Sequence, residues 1–284
     1  MKNISVYLTG FLMAISDSMP GISGGTIAYI LGQYENLINA IYNLKDSSKI
    51  KESLSYLIKL GSAWIIGLFV ATLAISSFVD GHIYEMSSLF LGFVFISIPI
   101  TLKQEKNKIQ FKSSYLIYTI IAATIVIIIS TLGSNNDTII NIKSFSSLSS
   151  YLYLMLVGAI ALSTMLLPGI SGSTVLLIFG VYFVVIDSVH KFFTFDFSGI
   201  MVLISFAIGA LIGALLFVKT IKVLFSNFHS QTIFFIQGLL LGSLYSIILS
   251  PTFLGNTRLS LESFNLIYFL IGVLLIYGLD KIKK

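Results

Sequence analysis

The sequence predicts an all-α polytopic membrane protein made of two inverted-topology repeats, each a re-entrant (broken) helix pair plus three transmembrane helices. Three observations predict it. First, 56% of the 284 residues are hydrophobic and only 10% charged, with a mean hydropathy of +0.96. Twenty-nine charged residues (17 basic plus 12 acidic) are too few to solvate a soluble surface of this size. Second, apolar runs recur at 57–79, 113–131, 198–218, 231–249 and 264–280, each long enough for a hydrocarbon core of about 30 Å. The runs are continuous rather than alternating, which excludes a β-barrel. Third, the chain repeats itself.

Repeat one covers 1–135 and begins with a broken pair over 4–44, followed by spans 57–79, 87–102 and 113–131. Residues 4–15 resemble a signal peptide only faintly, because no small-residue cleavage site follows; the run leads instead into Asp17 and Pro20. A linker at 136–147, within the polar stretch "GSNNDTIINIKSFSSLSS" at 133–150, joins the halves. Repeat two covers 148–284, with a broken pair over 151–190 and spans 198–218, 231–249 and 264–280.

The repeat is carried by "MPGISGGTIAYILGQY" at 19–34 and "LPGISGSTVLLIFGVY" at 167–182, aligned without a gap at an offset of 148. Gly10 pairs with Gly158 at the same offset, while Gly67 with Gly213, Gly92 with Gly238 and Ser97 with Ser243 pair at 146. "LIY" at 116–118 pairs with 266–268 at 150.

The basic residues set the orientation. Lys2, Lys45, Lys49, Lys51, Lys59, Lys103, Lys106, Lys108, Lys112, Lys219, Lys222, Lys281, Lys283 and Lys284 can share one side, against Lys143, Lys191 and Arg258 on the other. By the positive-inside rule both termini are cytoplasmic. Each repeat then crosses an odd number of times, so the repeats are inverted, a transporter architecture whose site lies near the midplane. In this setting the net charge of +5 reports orientation, and no nucleic-acid partner is expected.

Pro20 and Pro168, with Gly21 and Gly169, break the helical ladder. Open backbone at membrane depth is tolerated only where it is buried or lines a cavity. Re-entrant and fully spanning forms are both even in crossing number, so parity leaves them open; the shortness of 4–15, about 18 Å as helix, favours a hairpin. A helix start carries bare N–H donors and a partial positive charge. The expected site is therefore a central anion cradle of Ser23, Gly24, Gly25, Thr26, Ser171, Gly172, Ser173 and Thr174. One such element alone is equally explained as a packing kink; two in register, rich in hydroxyls, favour a site.

Asp17, three residues before Pro20, reads either as a cap for the break or as a proton or ion carrier. Glu35 is the other coupling candidate, although a straight helix would put it about 18 Å from Ser23, at the interface. Asp187 and His190 also read as interfacial. His82 and His229 are expected in loops, and Trp64 in packing or at the interface. "GALIG" at 209–213 and "GLLLG" at 238–242 suit close helix packing. With no cysteine and no ligand spacing, no metal or cofactor is expected.

The paired "PGISG" elements, their spacing and the duplication resemble the bacterial polyprenyl-phosphate transporter family over essentially the whole chain. The resemblance implies a multi-pass protein of the bacterial cell membrane. Its substrate would be undecaprenyl phosphate, returned from the outer to the inner leaflet for cell-envelope synthesis, with membrane lipids as its other partners. It also implies a role around the lipid phosphate for Pro20 to Thr26 and Pro168 to Thr174; a homo-oligomer stays open. The alternatives are a small-anion carrier and a membrane enzyme resembling undecaprenyl-diphosphate phosphatase. The enzyme's motif has arginine after the serine, where this chain has Gly24 and Gly172, and no E-x-x-x-E pair occurs here. The chain is thus expected not to be an enzyme.

Overall fold

A computed structural model describes residues 2–18, 23–74, 80–134 and 147–283. Pro20 and Gly21, the end of the first expected span at 75–79, and linker residues 136–146 lie outside the described residues. Among those described the chain is helical, with no strand. The first six helices are α1 (Lys2–Asp17), α2 (Gly24–Ile30), α3 (Tyr34–Tyr42), α4 (Ile50–Ala74), α5 (Asp80–Glu105) and α6 (Leu116–Ser134). The next six are α7 (Leu148–Met165), α8 (Gly172–Ile178), α9 (Tyr182–Phe193), α10 (Ile200–Asn227), α11 (His229–Leu249) and α12 (Leu266–Lys283). Long, short, short, long, long, long: the order occurs twice.

Six helices among the described residues, α4, α5, α6, α7, α10 and α11, are long and apolar enough to cross a membrane; α1 and α12 are shorter apolar helices. Their outer faces carry Ile66, Ile128, Leu216 and Leu274, each more than half exposed. Apolar side chains of that size outside a helical bundle face lipid, where only a self-satisfied backbone survives. The protein is polytopic and membrane-embedded.

Lipid tails supply no hydrophobic drive between helices, so close backbone approach has to hold them together, and small residues permit it. The tightest neighbours are α1 with α4, α7 with α10, α5 with α12 and α6 with α11. Each pairing is built on glycines that admit no side chain. A Cβ on Gly10 would lie 2.2 Å from the Leu60 carbonyl, and one on Gly158 2.5 Å from that of Phe206. Gly67 rests on Phe11 and Gly213 on Ala159; Gly92 rests on Phe269 and Gly238 on Thr119. Glycines paired in sequence make matching contacts. The last two pairings exchange partners between the halves, so Gly92 and Gly238 are each buried against the other half.

The structure corrects the expected form of the broken pairs. The second limb of each broken pair is not a single helix, because it breaks again at Gly32 and Gly180. Both adopt left-handed backbone, φ +65° and +68°, which a side chain resists. α8 and α9 consequently meet at 119°. The straight-helix distance from Ser23 to Glu35 therefore does not apply.

Candidate functional site

At the first break α1 ends at Asp17, and Ser23 stands in extended geometry before α2. A helix start leaves backbone N–H groups without intrahelical acceptors. Asp17 supplies one: its Oδ1 accepts from Gly24 N at 2.7 Å, and its Oδ2 accepts from Trp64 Nε1 at 2.9 Å. The negative charge suits the positive end of the helix, and the indole fixes the carboxylate's direction. Gly24 leaves room for it, since a Cβ there would sit 2.5 Å from Oδ2. Of the two readings of Asp17, capping is the geometry present. Trp64 belongs to this site as well as to the packing, which sequence reasoning missed, because its bond to Asp17 spans 47 positions.

At the second break α7 ends at Met165, which occupies the place of Asp17 at the offset of 148. Pro168 is buried, and Gly169 turns the chain at φ +94° with its Cα pressed against the Leu239 carbonyl. Ser171 and Ser173 hydrogen bond to each other through their hydroxyls at 2.6 Å. Gly172 opens α8 against Met165, and among the described residues no side chain caps that helix start.

The two breaks touch. Gly169 N donates to Thr26 Oγ1 at 2.7 Å. A Cβ on Gly25 would lie 2.4 Å from the Met165 carbonyl. Ser23, Gly24, Gly25, Thr26, Ser171, Gly172 and Thr174 are all buried, with Ser173 half-buried. The Ser23 hydroxyl, 3% exposed as a residue, has no hydrogen-bond partner among the described residues. A buried hydroxyl without a partner costs free energy that a polar ligand would recover.

Glu35 lies apart from this junction. It is exposed and lines a half-open cavity of about 240 Å³ with Tyr29, Tyr34, Thr101, Glu105 and Lys108. Beside the cavity Gln237 Nε2 donates to Thr101 Oγ1 at 2.9 Å. The Tyr34 hydroxyl is buried with no hydrogen-bond partner among the described residues. Glu105 meets His229 Nε2 at 3.0 Å and Lys108 Nζ at 3.3 Å. His229 is therefore not a loop residue but the first of α11, tied to α5; His82 stands just inside α5 near Glu85. Asp187 and His190 do lie at a surface, where Asp187 pairs with Lys191 at 2.9 Å.

Residues 13–261 match the family described as VCA0040-like, undecaprenyl phosphate translocase-like. The chain belongs to this family. The chain is 33% identical over 259 residues to a protein of Vibrio cholerae serotype O1 (87% of this chain, 78% of the relative). It is 31% identical over 280 residues to one of Staphylococcus aureus (97% and 95%). Both are named polyprenyl-phosphate transporter. No solved structure matches.

Proposed function

We propose that this protein carries undecaprenyl phosphate from the outer to the inner leaflet of the bacterial cell membrane, the phosphate crossing where the two broken helices meet. Family membership and the names of the two relatives support a carrier of lipid phosphates rather than an enzyme. The observation that carries the site is the junction itself: Thr26 and Gly169, far apart in sequence, are bonded within a buried, hydroxyl-bearing junction.

The barrier to flipping is the charged head, because the prenyl tail stays in lipid. Ser23, Ser171, Ser173 and Thr174, with the backbone around Gly24, Gly25 and Gly172, replace water around the phosphate. Asp17 already occupies one helix start, so the arriving phosphate binds from the α8 side and competes with that carboxylate. Protonation of Asp17 would ease the competition, and Glu35 at the cavity mouth is the second candidate to carry a proton or ion. The repeats are inverted, both termini are cytoplasmic, and the halves rock about the junction.

The test is undecaprenyl-phosphate flipping in proteoliposomes, comparing wild type with Ser23→Ala plus Ser171→Ala. Rapid movement by wild type and slow movement by the double variant are expected. Equal rates would overturn the central site. An inactive wild type, uptake of a soluble anion without lipid movement, or phosphate release from undecaprenyl diphosphate would overturn the carrier reading.

A further inference from the structure

We propose that Tyr42, Lys45, Lys219 and Lys222 form a second, peripheral station that holds the phosphate monoester head of a lipid before or after it crosses. This rests on the carrier reading for its place in the transport cycle, but the binding itself stands on separate observations.

Lys45 Nζ lies 3.7 Å from the centre of the Tyr42 ring and Lys222 Nζ 4.0 Å from it. Two ammonium groups so close to one ring repel each other, and the ring's negative face offsets only part of that cost. Lys219, exposed and one turn before Lys222 on α10, shares that end of the helix. Among the described residues no carboxylate pairs with any of the three. Three concentrated positive charges without an internal counterion fit an external anion of high charge density. A phosphate monoester, close to doubly charged and with several acceptor oxygens, fits better than a singly charged diester.

The second observation concerns the tail. Lys219 ends an exposed stripe on α10 formed by Ile212 and Leu216, 47% and 70% exposed, at i−7 and i−3. Leu215, 52% exposed, stands seven residues before Lys222. The lipid-facing side of α10 therefore runs directly into the cations. An amphiphile with an apolar chain and an anionic head satisfies both at once, whereas free phosphate satisfies only one.

The third observation is asymmetry. At the offset of 148, Tyr42 and Lys45 correspond to His190 and Phe193. There Phe193 packs on Phe69 with ring centres 5.8 Å apart, so the equivalent junction of α9 and α4 is aromatic rather than cationic. Among the described residues the arrangement does not recur at this equivalent junction.

The experiment measures binding to the full-length protein in detergent micelles, with a short-chain polyprenyl phosphate, the matching alcohol, phosphatidylglycerol and inorganic phosphate as probes. The variants are Lys45→Gln plus Lys222→Gln, Lys219→Gln, and Tyr42→Leu; melting temperature serves as the fold control. Each lysine removed should weaken polyprenyl-phosphate binding about 5-fold, and the pair about 30-fold. The alcohol and inorganic phosphate should bind weakly and respond little. Unchanged polyprenyl-phosphate binding in the double variant would overturn the station, as would an equal loss for phosphatidylglycerol, which would mark a general membrane-surface patch. Inorganic phosphate binding as tightly as the lipid would overturn the lipid source. Failure here with wild-type flipping intact leaves the carrier reading standing; an inactive wild type that still binds through these lysines leaves the station standing.

Discussion

The hydroxyl of Thr26 accepts a hydrogen bond from the backbone N–H of Gly169 at 2.7 Å, joining residues 143 positions apart and both broken helices in one buried contact. Thr26→Val keeps the shape and removes the acceptor, leaving a buried N–H at a cost of about 1–3 kcal/mol. Thr26→Ser keeps the acceptor. A fall of a few degrees in melting temperature in detergent is expected for valine and a smaller one for serine. Equal melting temperatures for valine and wild type would show that the bond contributes nothing.

Asp17 links two helices to its own, through Gly24 N and Trp64 Nε1. Asp17→Ala removes both bonds, at about 1.5–3 kcal/mol each for a charged partner. Trp64→Phe leaves the cap undirected. Because all three groups share one network, the double variant Asp17→Ala/Trp64→Phe should be at least about 0.5 kcal/mol less damaging than the two single effects added. Strict additivity in a double-mutant cycle would contradict the network.

The glycine contacts separate into two classes. A Cβ on Gly209 would lie 1.9 Å from the Met155 carbonyl, a backbone atom that cannot step aside. Gly209→Ala should cost about 1–3 kcal/mol or more through forced separation of α7 and α10. Gly61 and Gly278 have open space, so alanine there should be neutral or stabilise by up to about 1 kcal/mol through helix propensity. Thermal unfolding of the three variants under one set of conditions checks the ranking, and an unharmed Gly209→Ala would refute the packing.

Beside the cavity, Thr101→Val removes the acceptor of Gln237 Nε2 and leaves that buried amide N–H without it. A loss of about 1–3 kcal/mol follows. Adding Gln237→Leu removes the stranded amide, and the double variant should recover most of the loss. A double variant less stable than either single one would mean that the amide holds something else in place.

Much of this was readable along the chain. The helical, multi-span character, the glycine pairs Gly10/Gly158, Gly67/Gly213 and Gly92/Gly238, and the helix-packing role of "GALIG" and "GLLLG" follow from composition and self-similarity, which need no partner to be known. The bend at Gly32 and Gly180 was visible as paired glycines but not as a turn, because glycine also serves packing and only the backbone angle separates the two uses. His229 was misplaced because its tie to Glu105 spans 124 positions.

The sequence by itself determined a helical membrane protein, a chain of two related halves, and two motifs whose prolines and glycines must interrupt helices, since hydrophobicity, periodicity and backbone restriction act locally. Only the tertiary structure decided how the equivalent motifs differ. Asp17 caps α2 where Met165 leaves α8 uncapped, Trp64 directs that carboxylate, and Thr26 reaches across to Gly169. It also brought Lys45 of one half and Lys222 of the other onto the Tyr42 ring. Such contacts depend on which distant residues the glycine-lined helix pairs bring within a few ångströms, and no local pattern encodes that distance.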